Sequence, residues 1–188
     1  QTIDYELISF SKVVYLDHYG AESLGHLAFD IRRNGVDIVA DIERNVSSDI
    51  FASMNYINHL ILPCRFAADV TGTEKIPEAL EQLWNPERDV VVITQGSNGS
   101  WCKSRYTEKP FHVPAFAVEV VDTTGCGDVF HGAYAFALSA GFGLEERLQI
   151  ATAAAAINAT QWGAQKGSPT FEAVLRFMNE REVHITGP

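Results

Sequence analysis

Basic residues are scarce in this chain: 14 Lys and Arg stand against 24 Asp and Glu, a formal net charge of −10 over 188 residues. That balance argues against a nucleic-acid partner, because a phosphate backbone is bound by clustered Lys and Arg. Long apolar runs are also missing. None approaches the ~20 residues that span a bilayer, so no membrane partner is expected, and no charged-then-apolar segment of the secretory type is present. Cysteine is limited to Cys64, Cys102 and Cys126. An odd number without metal-ligand spacing fits free thiols in a reducing cytoplasm, not a disulfide framework or a zinc site. Internal repeats and linker-like segments are absent too, so residues 1–188 are expected to form one domain.

With 46% apolar and 20% charged residues, the chain reads as globular and long enough to bury a proper core. Val13–Leu16, Val36–Asp41, His59–Leu62 and Asp89–Thr94 are apolar runs typical of buried parallel strands. Helical patterns separate them. Residues 21–34 place Leu24, Leu27, Ala28 and Ile31 on one face, with Gly35 as the stop. Ser47 and Ser48 can cap a short helix reaching Asn55, a helical stretch opens at Pro63 and ends near Thr71-Gly72, and Pro77–Trp84 turns Leu80 and Leu83 inward. Ser100–Ser104 and Pro110–Phe116 read as two further short strands, and Val118–Val121 as the end of a buried one. Leu144–Gln161 reads as a helix with Ile150, Ala154 and Ile157 in its apolar stripe. Ser168-Pro169 reads as the N-cap and N1 of a last helix. Strands alternating with helices predict an α/β fold: a doubly wound, mostly parallel sheet with helices on both faces. Ligands on such sheets gather at the carboxyl ends of the strands. Asp17, His18, Asp41 and Glu43 fall there, either as substrate contacts or as solvated loop acids.

The chemistry concentrates in Asp122-Thr123-Thr124-Gly125-Cys126-Gly127-Asp128. Two glycines flank a small residue just before a helix, so backbone can approach a ligand closely. The N–H groups of the first helical turn, with the positive end of the dipole behind them, favour a phosphate or another anion. An acidic protein can hold phosphates with such a local nest of amides. Asp128 at its mouth is placed to take a proton from an attacking hydroxyl. The alternative is that it serves only as a helix N-cap.

Those seven residues resemble the signature D-T-x-G-A/C-G-D of the ribokinase-like (PfkB) carbohydrate kinases. The resemblance implies that Asp128 is the catalytic base and that the Gly125, Cys126 and Gly127 amides form an anion hole for the transferring phosphate. Thr94-x-Gly96-x-x-Gly99, weak alone, resembles the family's second nucleotide-binding element, and Asn158 falls where family members present a side chain to the adenine. Gly163–Pro169 resembles the C-terminal loop which, with Asp122 and Thr124, can supply oxygens to a monovalent cation such as K+. The family's Asn-x-x-Glu element, which organises magnesium and phosphate, is replaced here by Cys64 and Ala67, and neither coordinates a hard cation well.

What the resemblance implies is an ATP- and Mg2+-dependent transfer of phosphate to a hydroxyl of a small sugar, in a cytoplasmic protein, with room for a homodimer. Thr94-Gln95-Gly96-Ser97 and Val129-Phe130-His131-Gly132 look most like the branch acting on fructose-type sugars, sulfofructose included. The chain opens at Gln1 with no Met, as though entered mid-protein. The family's first strands, lid and most sugar contacts are then expected to be absent from it. Two rivals are a catalytically impaired nucleotide- or sugar-binding regulatory protein on the same fold, and a cysteine hydrolase using Cys126 with His131.

Overall fold

The computed structural model describes residues 5–24, 27–44 and 54–187. The chain divides into two compact units, Gln1–Gln95 with Trp101–His112, and Gly96–Ser100 with Val113–Pro188.

In the first unit, Val13–Asp17 (β1), Asp37–Asp41 (β2), His59–Pro63 (β3) and Val90–Thr94 (β4) pair in parallel. Ser100–Ser104 (β5) and Phe111–Val113 (β6) complete a six-stranded sheet in the order β1 to β6. The connection Gln95–Gly99 is too short for a parallel crossover, so β5 returns antiparallel and the sheet is mixed. Ile38, Ala40, Leu60, Leu62, Val91 and Ile93 share one core with the flanking helices. Their alternates Val39, Ile61, Val90 and Val92 are just as buried. Burial on both faces is why these strands read as continuous apolar runs.

The helices of this unit are Tyr5–Ser9 (α1), His18–Leu24 (α2), Ala28–Arg33 (α3), Cys64–Thr71 (α4) and Ile76–Leu83 (α5). Ile31, Phe66, Ala67, Leu80 and Leu83 are among the side chains they bury in the core. The stretch expected to be one helix over 21–34 holds α2 and α3, with residues 25–26 outside the described ones. The first starts early because Asp17 Oδ1 accepts the Gly20 N–H at 2.7 Å, capping the turn that leaves β1. The short helix expected after Ser47 and Ser48 falls mostly outside the described residues. β1 is less buried than its apolar run suggests, with Tyr15 42% exposed. Its position at the end of the strand order explains this, since only β2 covers it among the described residues.

The second unit is helical: Cys126–Ala140 (α6), Leu144–Ala159 (α7) and Phe171–Asn179 (α8). Ala137 packs with Ile150, Ala153 and Ala154, and small side chains there let the helices approach closely. Val174 and Met178 bring α8 into the same core. Two expectations fail in this unit. Val118–Val121 is not a strand: the N–H groups of Val121 and Asp122 donate to the Ala159 carbonyl at 2.8 and 3.2 Å. The segment thus closes the carboxyl end of α7 instead of joining a sheet. The last helix is capped by Thr170, whose Oγ1 accepts the Ala173 N–H at 3.3 Å. Ser168 and Pro169 precede it as loop.

Candidate active site

Gly125 sets the geometry of the signature loop. It sits at φ 76°, in the left-handed region, and a Cβ there would lie 2.5 Å from the Cβ of Ala164. Only glycine tolerates both conditions without strain. The loop therefore folds against residues 163–167, and α6 starts at Cys126.

Asp128 is consequently the third residue of α6. The N-cap is Gly125, and no side chain caps the helix. The reading of Asp128 as a mere cap is overturned by this placement. Its carboxylate is exposed in the first turn. The Cys126 N–H donates to the Thr123 carbonyl at 3.2 Å, which removes one of the three amides expected in the anion hole. The N–H groups of Gly127 and Asp128 are taken by no backbone carbonyl among the described residues. They lie at the positive end of a 15-residue helix, where an anion is favoured.

Two side chains brace this loop. Asp122 accepts the Thr124 N–H at 2.9 Å through one carboxylate oxygen and the Gly163 N–H at 3.0 Å through the other. Those amides, Thr124 first, hold its carboxyl below the usual range. Asn158 was expected either to face the adenine or to sit at the surface. The structure buries it completely. Its amide donates to the Thr124 carbonyl at 3.1 Å and to the Cys126 sulfur at 3.4 Å. Gly167 passes so close that a Cβ there would lie 2.6 Å from Asn158 Oδ1. Asp122 and Asn158 thus tie the loop to the 163–167 segment and to α7.

His131, on the same helix, is 2% exposed, and its Nδ1 pairs with the Gly127 carbonyl at 2.8 Å. That contact turns Nδ1 to the backbone of its own helix and not to Cys126, so it lends the hydrolase rival no geometric support. A cavity of about 550 Å³ opens beside Asp128, walled by Gly132, Phe136, Ala154, Gln165 and Phe171. Sequence reasoning missed this cavity, although Gly132 and Phe136, spaced i and i+4 on α6, mark its wall.

The other candidate residues belong to the sheet. Asp17 and Asp41 are register partners at the carboxyl ends of β1 and β2. Asp17 caps α2, as described; Asp41 is 4% exposed and accepts the Tyr15 hydroxyl at 3.1 Å. Beside them Arg44 donates to His18 Nε2 at 3.2 Å and to the Tyr19 hydroxyl at 3.4 Å. Thr94 ends β4, in register with Pro63. Gly96–Asn98 forms a single 3-10 turn after it, and Gly99 is buried. Cys64 opens α4 and Ala67 is buried one turn on. Neither offers an oxygen, so this element does not fit a magnesium ion.

At the opposite, amino ends of the strands, sequence reasoning missed a polar cluster. Asn58 donates to Asp37 and to Asp89 at 2.7 Å each, and accepts the Ile38 N–H at 2.7 Å. Arg32 pairs with Asp37 at 3.2 Å and Arg105 with Asp89 at 2.7 Å. Asp37, His59 and Asp89 do bring three ligand atoms within 4.8 Å of one another. With two guanidiniums and a carboxamide already on the carboxylates, the cluster is an ion-pair network and not a metal centre.

Comparison with known proteins decides the family. The pattern of the pfkB family carbohydrate kinases matches residues 4–171. The chain belongs to that family. A ribokinase of Haemophilus influenzae is 30% identical over 154 residues, covering 78% of this chain and 49% of that protein. Fructokinase-1 of Oryza sativa is 35% identical over 119 residues, covering 58% of this chain and 36% of that protein. Among solved structures, Arabidopsis thaliana ribokinase complexed with ribose and ATP superimposes with a TM-score of 0.81 at 28% identity, covering 93% of this chain and 58% of that one. The chain thus spans about half or less of these two curated relatives, and little more than half of the solved one. The ribokinase-like architecture of its mixed sheet and helices follows from the same likeness. No helix among the described residues is long and apolar enough to cross a membrane.

Proposed function

We propose that this chain forms the catalytic part of an ATP-dependent sugar kinase, with Asp128 as the general base. The observation that carries the reading is the exposed Asp128 carboxylate in the first turn of α6, beside the open N–H groups of Gly127 and Asp128. The two units work as one catalytic domain in this reading. ATP, when bound, supplies the γ-phosphoryl group. The acceptor hydroxyl approaches from the side of the cavity at Asp128, gives its proton to the carboxylate and forms the new P–O bond as the bond to ADP breaks. The Gly127 and Asp128 amides receive the charge on the moving phosphoryl oxygens. Phosphoryl transfer is mainly positioning and electrostatics, so a base and an anion-binding helix terminus are the parts it needs from the protein.

The remaining residues take supporting roles. Thr94, Gly96 and Gly99 are proposed to hold the nucleotide, and the strand-end acids Asp17 and Asp41 to meet the sugar. Asn158 is reassigned from an adenine contact to a brace of the loop, since its amide is engaged by Thr124 and Cys126. Asp122 and the Thr124 carbonyl each accept one protein donor per oxygen and hold the loop, and the lone pairs left on those oxygens are proposed to coordinate a monovalent cation. No step is routed through magnesium, given Cys64 and Ala67.

A fructose-type ketose is the acceptor proposed, consistent with the fructokinases among the relatives. Cys64 and Ala67 favour a second reading, a binding protein on this fold with transfer impaired. Both are tested by assaying the polypeptide that carries this chain with ATP and a panel of ketoses, aldoses, nucleosides and sulfosugars. Transfer to a ketose is the expected result. Nucleotide binding with transfer to no acceptor replaces the kinase reading with the second one.

A further inference from the structure

Beyond the end of α5, the first unit holds a buried cation with no counter-charge among the described residues. Arg88 is 3% exposed. Its Nη2 donates to the Met54 carbonyl at 2.9 Å, whereas Nε and Nη1 are sealed from solvent with no partner among the described residues. The adjacent carboxylate, Asp89, is already held by Arg105 at 2.7 Å and by Asn58 at 2.7 Å. Burial pushes the guanidinium down to about 10, which still leaves it charged at neutral pH. A buried charge without a partner is among the costlier features a fold can carry. The Met54 carbonyl accounts for one of its donors but not for the two without a partner among the described residues.

A cavity of about 300 Å³ lies against this residue, walled by Asn55, Val70, Gln82, Trp84, Asn85 and Arg88. We propose that it binds a small oxyanion, a carboxylate or a phosphate, whose charge Arg88 neutralises. A guanidinium favours either group over a neutral ligand. The carboxamides of Asn55 and Gln82 and the indole of Trp84 supply neutral walls. A space of this size takes inorganic phosphate or malonate and excludes a nucleotide. Nothing in the phosphoryl-transfer reading uses this cavity, so the two stand or fall separately.

The three tryptophans make the test site-specific. Trp84 lines the cavity, Trp101 lies in β5, and Trp162 adjoins the 163–167 segment. Indole N–H resonances of the ¹⁵N-labelled protein are followed during titration with phosphate, and separately with malonate, at constant ionic strength. A saturable shift of Trp84, with Trp101 unmoved, is expected for both anions. A shift of Trp162 with phosphate reports the signature loop instead. Arg88→Met should weaken the Trp84 response about tenfold to a hundredfold, the worth of a charge-assisted contact. Gln82→Glu, which places a competing carboxylate in the cavity, should weaken it as well while raising the melting temperature. An unmoved Trp84 in both titrations, or an unchanged affinity in both variants, overturns the proposal.

Discussion

At the amino ends of β2 and β4, Asp37 and Asp89 each meet a guanidinium and the Asn58 amide within 3.2 Å. In the second unit, Asp128 stands exposed beside two open amides, and no protein cation pairs with it among the described residues. The two arrangements suit opposite tasks. A carboxylate engaged by a guanidinium and an amide holds strands in place. An unengaged one contributes little to stability and is open to a substrate hydroxyl. Asp122 stands between them: half-buried, with both oxygens on backbone amides, it shapes the loop on which Asp128 depends.

The contrast can be broken first at its structural end. Asn58→Ala removes three contacts and leaves the Ile38 N–H buried without a partner. A loss of about 3–5 kcal/mol in unfolding free energy is expected, read by urea denaturation. A loss below about 1 kcal/mol would mean the network is not what holds the amino ends together.

Gly125→Ala is next in size. It forces a side chain into the left-handed region and against Ala164, for about 2–4 kcal/mol of strain and overpacking. Nucleotide affinity should fall with stability, since the open amides move with the loop. A variant that keeps both would show that the close approach at Ala164 is not needed.

The smallest effect concerns Glu146, which accepts from the Gly143 N–H at 3.0 Å and from the Thr186 N–H and hydroxyl at 2.7 and 2.8 Å. These amides, Thr186 first, hold its carboxyl below the usual range. A lowered folded-state value means the contribution is present above the unfolded-chain value and is lost as pH falls through the folded one. Glu146→Gln should therefore cost no more than about 1 kcal/mol near neutrality. The gap between the two proteins should close in acid. A gap that stays constant with pH would remove the charge from the explanation.

How much was legible in the sequence follows the range of the interactions. β2, β3 and β4 were readable because two-sided burial writes an unbroken apolar run. The turn at Gly125 was readable because a glycine must stand at a left-handed position before a helix. Val118–Val121 misled because a β-branched run looks the same whether its N–H groups meet a neighbouring strand or the Ala159 carbonyl. Thr170 outcompeted Ser168 as a cap by two residues, a distinction only the loop geometry makes. Asn158 and Asn58 were beyond reach. Each carries its role through partners 20 to 34 positions away, Ile38 for Asn58 and Thr124 for Asn158, with no local pattern to announce them.

The central claim is that Asp128 accepts the proton of the attacking hydroxyl. Asp128→Asn keeps the size of the side chain and removes that capacity. Measured on the polypeptide that carries this chain, turnover with its best sugar acceptor should fall by about 10²–10⁴. Nucleotide affinity and melting temperature should change little, because the residue is exposed and does not cap α6. Undiminished turnover in Asp128→Asn would contradict the account.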